Sequence, residues 1–226
     1  MTTAAVAAFH VPPLPARLRT AARALHTLFR DPTRLDQVLV FGQAINMRHI
    51  ARNLERLSAD PDGARLLAEQ PRIDRTHVDF DALARLPDGT LGREYVRFLH
   101  EHGITPDAFV APPDVGDARA AYVMLRIRQT HDLWHVLTGY EPDIRGELLL
   151  QAFSFAQLRV PSSFVLAVFG SIRFAARLPG RTIEHAREMR RAFVRGKATS
   201  FLGTFRWEDH WAMPVADLRA LLTCPA

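Results

Sequence analysis

The spacing of apolar residues constrains the fold of this chain more than any other feature of its sequence. In residues 14–29 and 35–57, apolar residues recur at steps of three and four, the period of an amphipathic helix. No segment shows the sustained alternation of apolar and polar residues that is typical of a strand. Proline and glycine separate the helical segments, as at Pro61-Asp62-Gly63. The sequence therefore predicts an all-α fold, a single-domain helical bundle of roughly eight to ten helices.

The length of 226 residues and an apolar content of 48% fit one domain with a sizeable core. We expect residues 1–30 to form a variable N-terminal segment with the first helix, and residues 31–222 to form one helical metal-binding domain. The first thirty residues lack acidic side chains, as transit peptides do, but Pro12, Pro13 and Pro15 would break the amphipathic helix of such a peptide. We interpret this segment as a ragged N-terminus.

The net charge of +5 and the pI of about 10.3 favour contact with anionic surfaces. Arginine carries the positive charge and is spread along the chain, without the basic cluster and interleaved aromatics of a single-strand-binding protein, so we expect no nucleic-acid partner. Cys224 is the single cysteine, which excludes an intramolecular disulfide and fits a reducing compartment. No apolar run is long enough to cross a bilayer, which predicts a soluble or peripheral protein.

The candidate functional motif is His131-Asp132-Leu133-Trp134-His135. On a helix with 3.6 residues per turn, His131 and His135 lie one above the other and Asp132 lies on the adjoining edge. We expect one long helix from Val115 to Leu137 to carry all three side chains. They then point in one direction.

A turn is predicted directly after this helix. Gly139 suits a left-handed helix end, and Pro142 cannot easily continue the helix. Asp143 is a good N-cap for a returning helix, which places Glu147 in its first turn, facing the two histidines. Two imidazoles and two carboxylates are thus predicted to converge.

Imidazole and carboxylate ligands suit Zn²⁺ or a divalent first-row metal such as Fe²⁺ or Mn²⁺. The pattern differs from the His-Glu-x-x-His motif of zinc proteases, because Asp132 is shorter than the glutamate base and is better suited to bind the metal or to orient a ligand. The alternative is that His131 and His135 are ordinary helix residues, paired at the surface with Asp132 and Glu141.

The segment from Ser162 to Arg177 is apolar on nearly all sides. Such a helix is either the centre of the bundle, the interpretation that we favour, or a wall of a hydrophobic tunnel. If it lines a tunnel, one side packs in the bundle and another binds an apolar chain, with Arg173 and Arg177 at the mouth. The residues assigned to this lipid groove are Phe164, Leu166, Val168, Phe169 and Ile172.

The spacing His131-Asp132-x-x-His135, eleven residues, then Glu147 resembles the signature of the coenzyme Q biosynthesis protein 4 family. The flanking sequence is also similar from about residue 31 onward. The matching features are Thr33-Arg34-x-Asp36, Pro87-x-x-Thr90-Leu91-Gly92-x-x-Tyr95, Gly139-Tyr140, Trp207-Glu208, Pro214 and Leu218-Arg219. Members of that family are helical metal-binding proteins of ubiquinone biosynthesis, and this chain resembles a bacterial member.

The resemblance implies oxidative decarboxylation, in which the C1 carboxylate of a polyprenylated hydroxybenzoate is replaced by hydroxyl. It assigns His131, Asp132, His135 and Glu147 as ligands of a divalent metal, zinc by resemblance, with iron or manganese as alternatives. Tyr140 and Arg145, near the turn, are candidates for orienting a ligand or anchoring the substrate. An enzyme is the favoured interpretation, and the alternative is a lipid-binding scaffold with a structural metal that organises ubiquinone-biosynthesis enzymes.

The same resemblance implies several partners. We expect a polyprenylated aromatic substrate, other ubiquinone-biosynthesis enzymes, an anionic membrane surface and a second copy of the chain in a homodimer. The expected location is cytoplasmic, peripheral to the inner face of the membrane. The sequence determines neither the length of the prenyl chain nor the identity of the metal.

Overall fold

The computed structural model describes residues 12–31, 34–108 and 117–225, and these ranges are predominantly helical. In chain order the α-helices are α1 (Leu14–Arg30), α2 (Leu35–Ala59), α3 (Pro61–Glu69), α4 (Phe80–Ala84), α5 (Leu91–Glu101), α6 (Ala118–Gln129), α7 (His131–Thr138), α8 (Ile144–Leu158), α9 (Pro161–Arg177), α10 (Thr182–Ala198) and α11 (Val215–Leu221). Within the described ranges, extended pairing is limited to one isolated bridge between Thr90 and Pro214. The prediction of a single-domain, all-α fold is confirmed.

The end of α2 differs from the sequence prediction in the role of Pro61. α2 ends at Ala59, as predicted, but Pro61 is already the first residue of α3 rather than part of a turn. The Asp60 carboxylate accepts hydrogen bonds from the backbone N–H groups of Asp62 and Gly63, both at 3.0 Å. Asp-Pro is here an N-cap followed by a first helical position, where proline needs no hydrogen-bond partner.

The long helix predicted from Val115 to Leu137 is divided in the structure, and its first two residues lie outside the described ranges. α6 ends at Gln129 and α7 begins at His131. At the junction, the Thr130 hydroxyl donates to the Arg126 carbonyl at 2.9 Å. A threonine that bonds back to the preceding turn favours a bend in a helix, so α7 is a separate short helix.

The short helix α7 lies at the centre of the core. Leu133, Trp134 and Leu137 are buried and belong to one apolar cluster with residues of α2, α5, α6 and α8. The buried carbonyls at its C-terminus have partners: Leu137 accepts from Arg219 Nε and Thr138 from Arg195 Nη1, both at 2.7 Å. Because a helix end without such partners is costly to bury, the two arginines fix α7 in place.

The interpretation of the apolar segment as the centre of the bundle is wrong. Its helix, α9, packs against α2, α8 and α10 at the edge of the molecule. Phe164, Val168, Phe169 and Ile172 are 38–60% exposed. None of the described helices has the length and apolar content needed to cross a membrane. The exposed side of α9 is therefore an apolar surface of the molecule.

Candidate metal centre

The turn between α7 and α8 forms as the sequence predicts. Gly139 adopts φ 72°, and its N–H donates to the His135 carbonyl at 2.7 Å. The Asp143 carboxylate caps α8 by accepting from the Gly146 N–H at 2.6 Å. A Cβ atom at Gly146 would lie 1.9 Å from the Glu141 carbonyl oxygen, so only glycine permits this close approach. The turn places Glu147 in the first turn of α8, beside α7.

Three of the four predicted ligands converge into what we call the metal cluster: His131, His135 and Glu147. One ligand atom from each lies within 4.8 Å of the other two. Glu147 Oε1 is 3.1 Å from His135 Nε2, and its Oε2 is 3.5 Å from His131 Nε2. The His135 side chain is 1% exposed and that of Glu147 is 41% exposed. His135 is therefore the buried member of the cluster, while His131 and Glu147 are both partly exposed.

The hydrogen bond on the far side of His135 determines what its other nitrogen can do. His135 Nδ1 lies 2.7 Å from the Tyr140 carbonyl oxygen, so Nδ1 carries the proton and donates to it. In the neutral ring, Nε2 then presents a lone pair to the Glu147 carboxylate. Two acceptors facing each other at 3.1 Å require a cation between them, either a proton or a metal ion. The donor set and this orientation fit a divalent metal.

The charges within the metal cluster shift the pKa values of its members. Burial raises the pKa of the Glu147 carboxyl, but hydrogen bonds from His131 and His135 outweigh burial and hold the pKa well below its usual range. Burial lowers the pKa of His131, but the hydrogen bond and the charge of Glu147 raise it by more. The net result is a raised pKa. Without a metal, a proton thus takes the place of the cation.

Asp132 lies next to the metal cluster but is not part of it. The residue is 6% exposed, and burial is the main cause of its raised pKa, partly offset by the charges on His131 and His135. Its negative charge also adds to the burial that raises the pKa of Tyr95 on α5. The position fits a residue that acts on the histidines through its charge rather than a fourth ligand.

Tyr140 and Arg145 contact other parts of the molecule with their side chains. Tyr140 contributes its main-chain carbonyl to His135, while its ring lies under the Arg195 guanidinium, 5.4 Å from the ring centroid. Arg145 Nε donates to Glu188 Oε2 on α10 at 2.9 Å, in an ion pair. Their roles with substrate stay predictions.

α5 forms a wall of the metal centre that the sequence analysis did not predict. The Phe98 ring stacks on His135 with centroids 5.4 Å apart and planes 22° apart. His102 lies 4.8 Å from Phe98, and its Nε2 is 3.9 Å from Glu141 Oε2. More than thirty residues separate Phe98 from the motif, so no local spacing could reveal the contact.

A second feature is the groove between α8, α9 and α10, a cavity of about 600 Å³. Three of the five residues assigned to a lipid groove line it: Phe164, Val168 and Ile172. Leu166 and Phe169 are not among its lining residues, and Phe169 packs edge to face against Phe29 of α1, at 6.2 Å. The wall contributed by α10 was not predicted and includes His185, Met189 and Phe193.

Comparisons with known proteins agree with the motif. Residues 10–225 match the family model described as coenzyme Q (ubiquinone) biosynthesis protein Coq4. The chain is 31% identical over 211 residues to the mitochondrial ubiquinone biosynthesis protein COQ4 homolog of Rattus norvegicus, covering 93% of this chain and 79% of the rat protein. It is 37% identical over 169 residues to the Homo sapiens homolog, covering 74% and 63% of the two chains.

A solved structure has the same fold. The crystal structure described as a ubiquinone biosynthesis protein from Nostoc punctiforme PCC 73102 superimposes with a TM-score of 0.75 and 26% sequence identity. The match covers 93% of this chain and 97% of the Nostoc chain. The helical fold, the signature spacing and the family match over most of the sequence lead to one conclusion: this chain belongs to the coenzyme Q (ubiquinone) biosynthesis protein Coq4 family.

Proposed function

We propose that this protein catalyses a metal-dependent oxidative decarboxylation in ubiquinone biosynthesis, replacing the C1 carboxylate of a polyprenylated hydroxybenzoate by hydroxyl. The observation that carries the proposal is the convergence of His131, His135 and Glu147 at the turn between α7 and α8. The relatives that share the family are named as ubiquinone biosynthesis proteins, which supports the pathway but does not specify the reaction.

The metal cluster would hold the cation through His131 Nε2, His135 Nε2 and a Glu147 oxygen. Three protein ligands leave at least one position for another ligand, as catalytic zinc sites do, whereas structural sites have four. A bound divalent cation supplies Lewis-acid stabilisation for the substrate carboxylate and the adjacent phenolate. By resemblance to the family we propose zinc, and the donor set suits iron or manganese as well.

The residues of the chain orient and shield this site. The Tyr140 carbonyl keeps the proton of His135 on Nδ1, and the Phe98 ring covers one face of the imidazole. Both contacts hold Nε2 toward Glu147. The buried Asp132 stabilises positive charge on the two histidines. Substrate enters from the side of His131 and Glu147, the two partly exposed members of the cluster.

The overall reaction is a two-electron oxidation of the substrate ring. The bond between C1 and the carboxylate carbon breaks, CO₂ leaves, and a carbon–oxygen bond forms at C1. With O₂ as the oxidant and water as the source of the hydroxyl oxygen, the other products are CO₂ and H₂O₂. The O₂ oxidant is part of the proposal.

The surroundings of the metal centre suggest the partners. The groove offers apolar surface for a prenyl chain, and each methylene-sized group that it buries contributes about 0.8 kcal/mol. We propose that the exposed apolar side of α9, with the exposed Arg173 and Arg177, contacts an anionic membrane. Other ubiquinone-biosynthesis enzymes and a second copy of the chain remain proposed partners.

The test uses purified protein freed of metal and then loaded in separate samples with zinc, iron or manganese. Each sample receives a prenylated hydroxybenzoate labelled with ¹³C at the carboxylate, and labelled CO₂ and hydroxylated product are measured by mass spectrometry. We expect both products from at least one loaded sample and neither from metal-free protein. Parallel reactions under ¹⁸O₂ and in H₂¹⁸O identify the source of the oxygen.

The alternative is a lipid-binding scaffold that presents prenylated precursors to other enzymes. The observation in its favour is the position of the groove. The groove lies where α8 meets α9 and α10, whereas the metal cluster lies where α8 meets α7. A stoichiometric complex with the prenylated compound, without turnover under any of the three metals, would reject the enzyme and support the scaffold.

A further inference from the structure

The groove differs in chemical character from one end to the other. Along α8, Leu148 lies beside Gly170 of α9, whereas Phe155 lies beside Phe164, with ring centroids 5.3 Å apart. Ser171 therefore lies at the end nearest the start of α8, and the aromatic rings lie at the other end. At that aromatic end Phe155 also stacks with Phe193, at 6.1 Å.

A buried polar pair occupies the first end of the groove. His185 on α10 is 4% exposed, and its Nε2 lies 2.9 Å from Ser171 Oγ on α9. The Phe174 ring lies against the imidazole with centroids 4.4 Å apart. The Nδ1 atom of His185 is buried and has no hydrogen-bond partner within the part of the chain that the structure describes. Thr182, another polar residue of the lining, already donates to the Pro179 carbonyl at 2.9 Å.

A count of donors shows what this pair offers to a ligand. A neutral imidazole has one N–H and serine has one O–H, and the contact between them uses one of the two. If the hydroxyl donates to Nε2, the N–H lies at Nδ1 and is unused. If Nε2–H donates to the hydroxyl oxygen, the serine proton is unused. His185 Nδ1 is buried and out of reach of a ligand in the groove, so only the second arrangement offers a donor there, the O–H of the lining residue Ser171. A ligand with an oxygen acceptor therefore favours the second arrangement.

The charge of the pair limits the kind of acceptor. Burial is the main cause that lowers the pKa of His185, so the ring is neutral at neutral pH. The nearest charged groups, Arg145 and Glu188, neutralise each other in an ion pair. An anionic head would lose its hydration here without gaining a cationic partner.

We propose that the groove binds one neutral amphiphile, an apolar chain that ends in an oxygen acceptor such as a carbonyl, with that oxygen at the Ser171–His185 pair. The chain then extends toward Phe155, Phe164 and Phe193. The site is separate from the metal cluster, because five residues on a helix rotate the face by about 140° between Glu147 and Ala152, a lining residue of the groove. The proposal does not depend on the proposed reaction, and its ligand would occupy the same apolar surface that the proposed function gives to the prenyl chain.

The test measures binding to the metal-free full chain by titration calorimetry. The probes are a decyl benzoquinone and decyl phosphate, which share the chain and differ in the charge of the head. The variants are Ser171→Ala and His185→Phe, which keep most of the volume and remove the pair. His49→Phe is the matched control, because His49 also has a buried Nδ1 without a partner but lies on α2, outside the groove.

We expect the quinone to bind more tightly than the phosphate, and each variant of the pair to weaken quinone binding about tenfold, the loss of one hydrogen bond to a ligand. The control variant and the weak binding of decyl phosphate should not change. Wild-type quinone affinity in Ser171→Ala would overturn the anchor, and so would the absence of quinone binding by the wild-type protein. Tighter binding of the phosphate, lost in His185→Phe, would overturn the neutral head. Circular dichroism checks folding, and if His185→Phe does not fold, Ser171→Ala decides the result.

Discussion

The metal cluster and the groove occupy two flanks of α8, and they differ in how their polar groups are satisfied. In the metal cluster, each polar group contacts another: Glu147 meets both histidines, and His135 meets the Tyr140 carbonyl. In the groove, apolar side chains predominate and Val168 and Ile172 remain exposed. The first arrangement requires fixed geometry, whereas the second depends mainly on apolar surface, with the Ser171–His185 pair as its one polar anchor.

This difference determines how each region should respond to change. A ligand set depends on hydrogen bonds and distances, so removal of one group takes a partner from the groups that contact it. An apolar groove depends on area, and its contribution changes gradually with the side chains that line it. We therefore expect large, specific effects at the metal cluster and smaller, graded effects at the groove.

The largest expected effect follows from His135→Ala. Loss of the buried imidazole removes one metal bond and leaves Glu147 without its nearer partner, so we expect metal affinity to fall by more than about 100-fold and ubiquinone production to stop. Elemental analysis after dialysis measures bound metal, and circular dichroism checks that the helices remain. His102→Ala, at the residue that follows α5 and beside Phe98, is the control and should retain metal. Full metal occupancy in His135→Ala would show that the ligand assignment is wrong.

A smaller loss is expected for Asp132→Ala. Because Asp132 lies outside the converging group and acts through its charge, we expect metal affinity to fall by about 10- to 100-fold, with binding still measurable at higher metal concentration. Competition with a chelator of known affinity gives the value. A loss as large as that of His135→Ala would make Asp132 a ligand after all and would remove the distinction between the two residues.

How much of the metal centre the sequence predicts depends on the length of chain that its contacts span. The two histidines are one helical turn apart, and the Gly139, Asp143 and Glu147 signals lie within nine residues of each other. Those parts formed as predicted. Phe98 and the capping residues Arg195 and Arg219 reach α7 from distant helices, and no local pattern contains that information.

For the groove, the sequence predicts the apolar helix but not its position in the fold. Composition correctly indicated an apolar helix at Pro161–Arg177, but composition does not determine which side of a helix its neighbours cover. The favoured interpretation placed this helix at the centre of the bundle, whereas the structure places it at the edge, where Phe169 meets Phe29 of α1. The division at Thr130 was missed for a related reason, because threonine is common inside helices as well as at their ends.

Gly146→Ala tests whether the geometry of the turn matters to the metal cluster independently of its ligands. A Cβ atom would clash with the Glu141 carbonyl oxygen, and this backbone cannot move without moving Tyr140 and Glu147. We expect metal affinity to fall about tenfold and stability by about 1–3 kcal/mol. Gly180→Ala, with no atoms near its Cβ position, is the control. Unchanged metal affinity in a destabilised Gly146→Ala protein would show that metal binding does not depend on the geometry of the turn.

The response to pH should also distinguish the two regions. The pKa of His131 in the metal-free protein is raised above its ordinary value of 6.5. Because the pKa of His131 is raised, a proton competes with the metal for this side chain already at a pH above 6.5. As the pH is lowered, metal affinity should therefore begin to fall before pH 6.5 is reached, by about tenfold per pH unit for one competing proton. Chelator competition across the neutral range measures this. A decline in metal affinity that begins only below pH 6.5 would contradict the raised pKa. Quinone binding in the groove, measured over the same pH range, is the reference for the region without the metal ligands.

The smallest effect is expected for Val168→Arg in the groove. Val168 is 38% exposed, so the arginine head can reach solvent and the fold should persist, while its stem occupies space meant for an apolar chain. We expect a several-fold loss of binding to phosphatidylcholine vesicles that contain a prenylated lipid, measured by sedimentation. Neutral vesicles avoid attraction between the added charge and anionic lipid. Val194→Arg is the matched control, because Val194 is exposed on α10 and does not line the groove. If both variants lose binding equally, the added charge is responsible and the groove has no part in holding the chain.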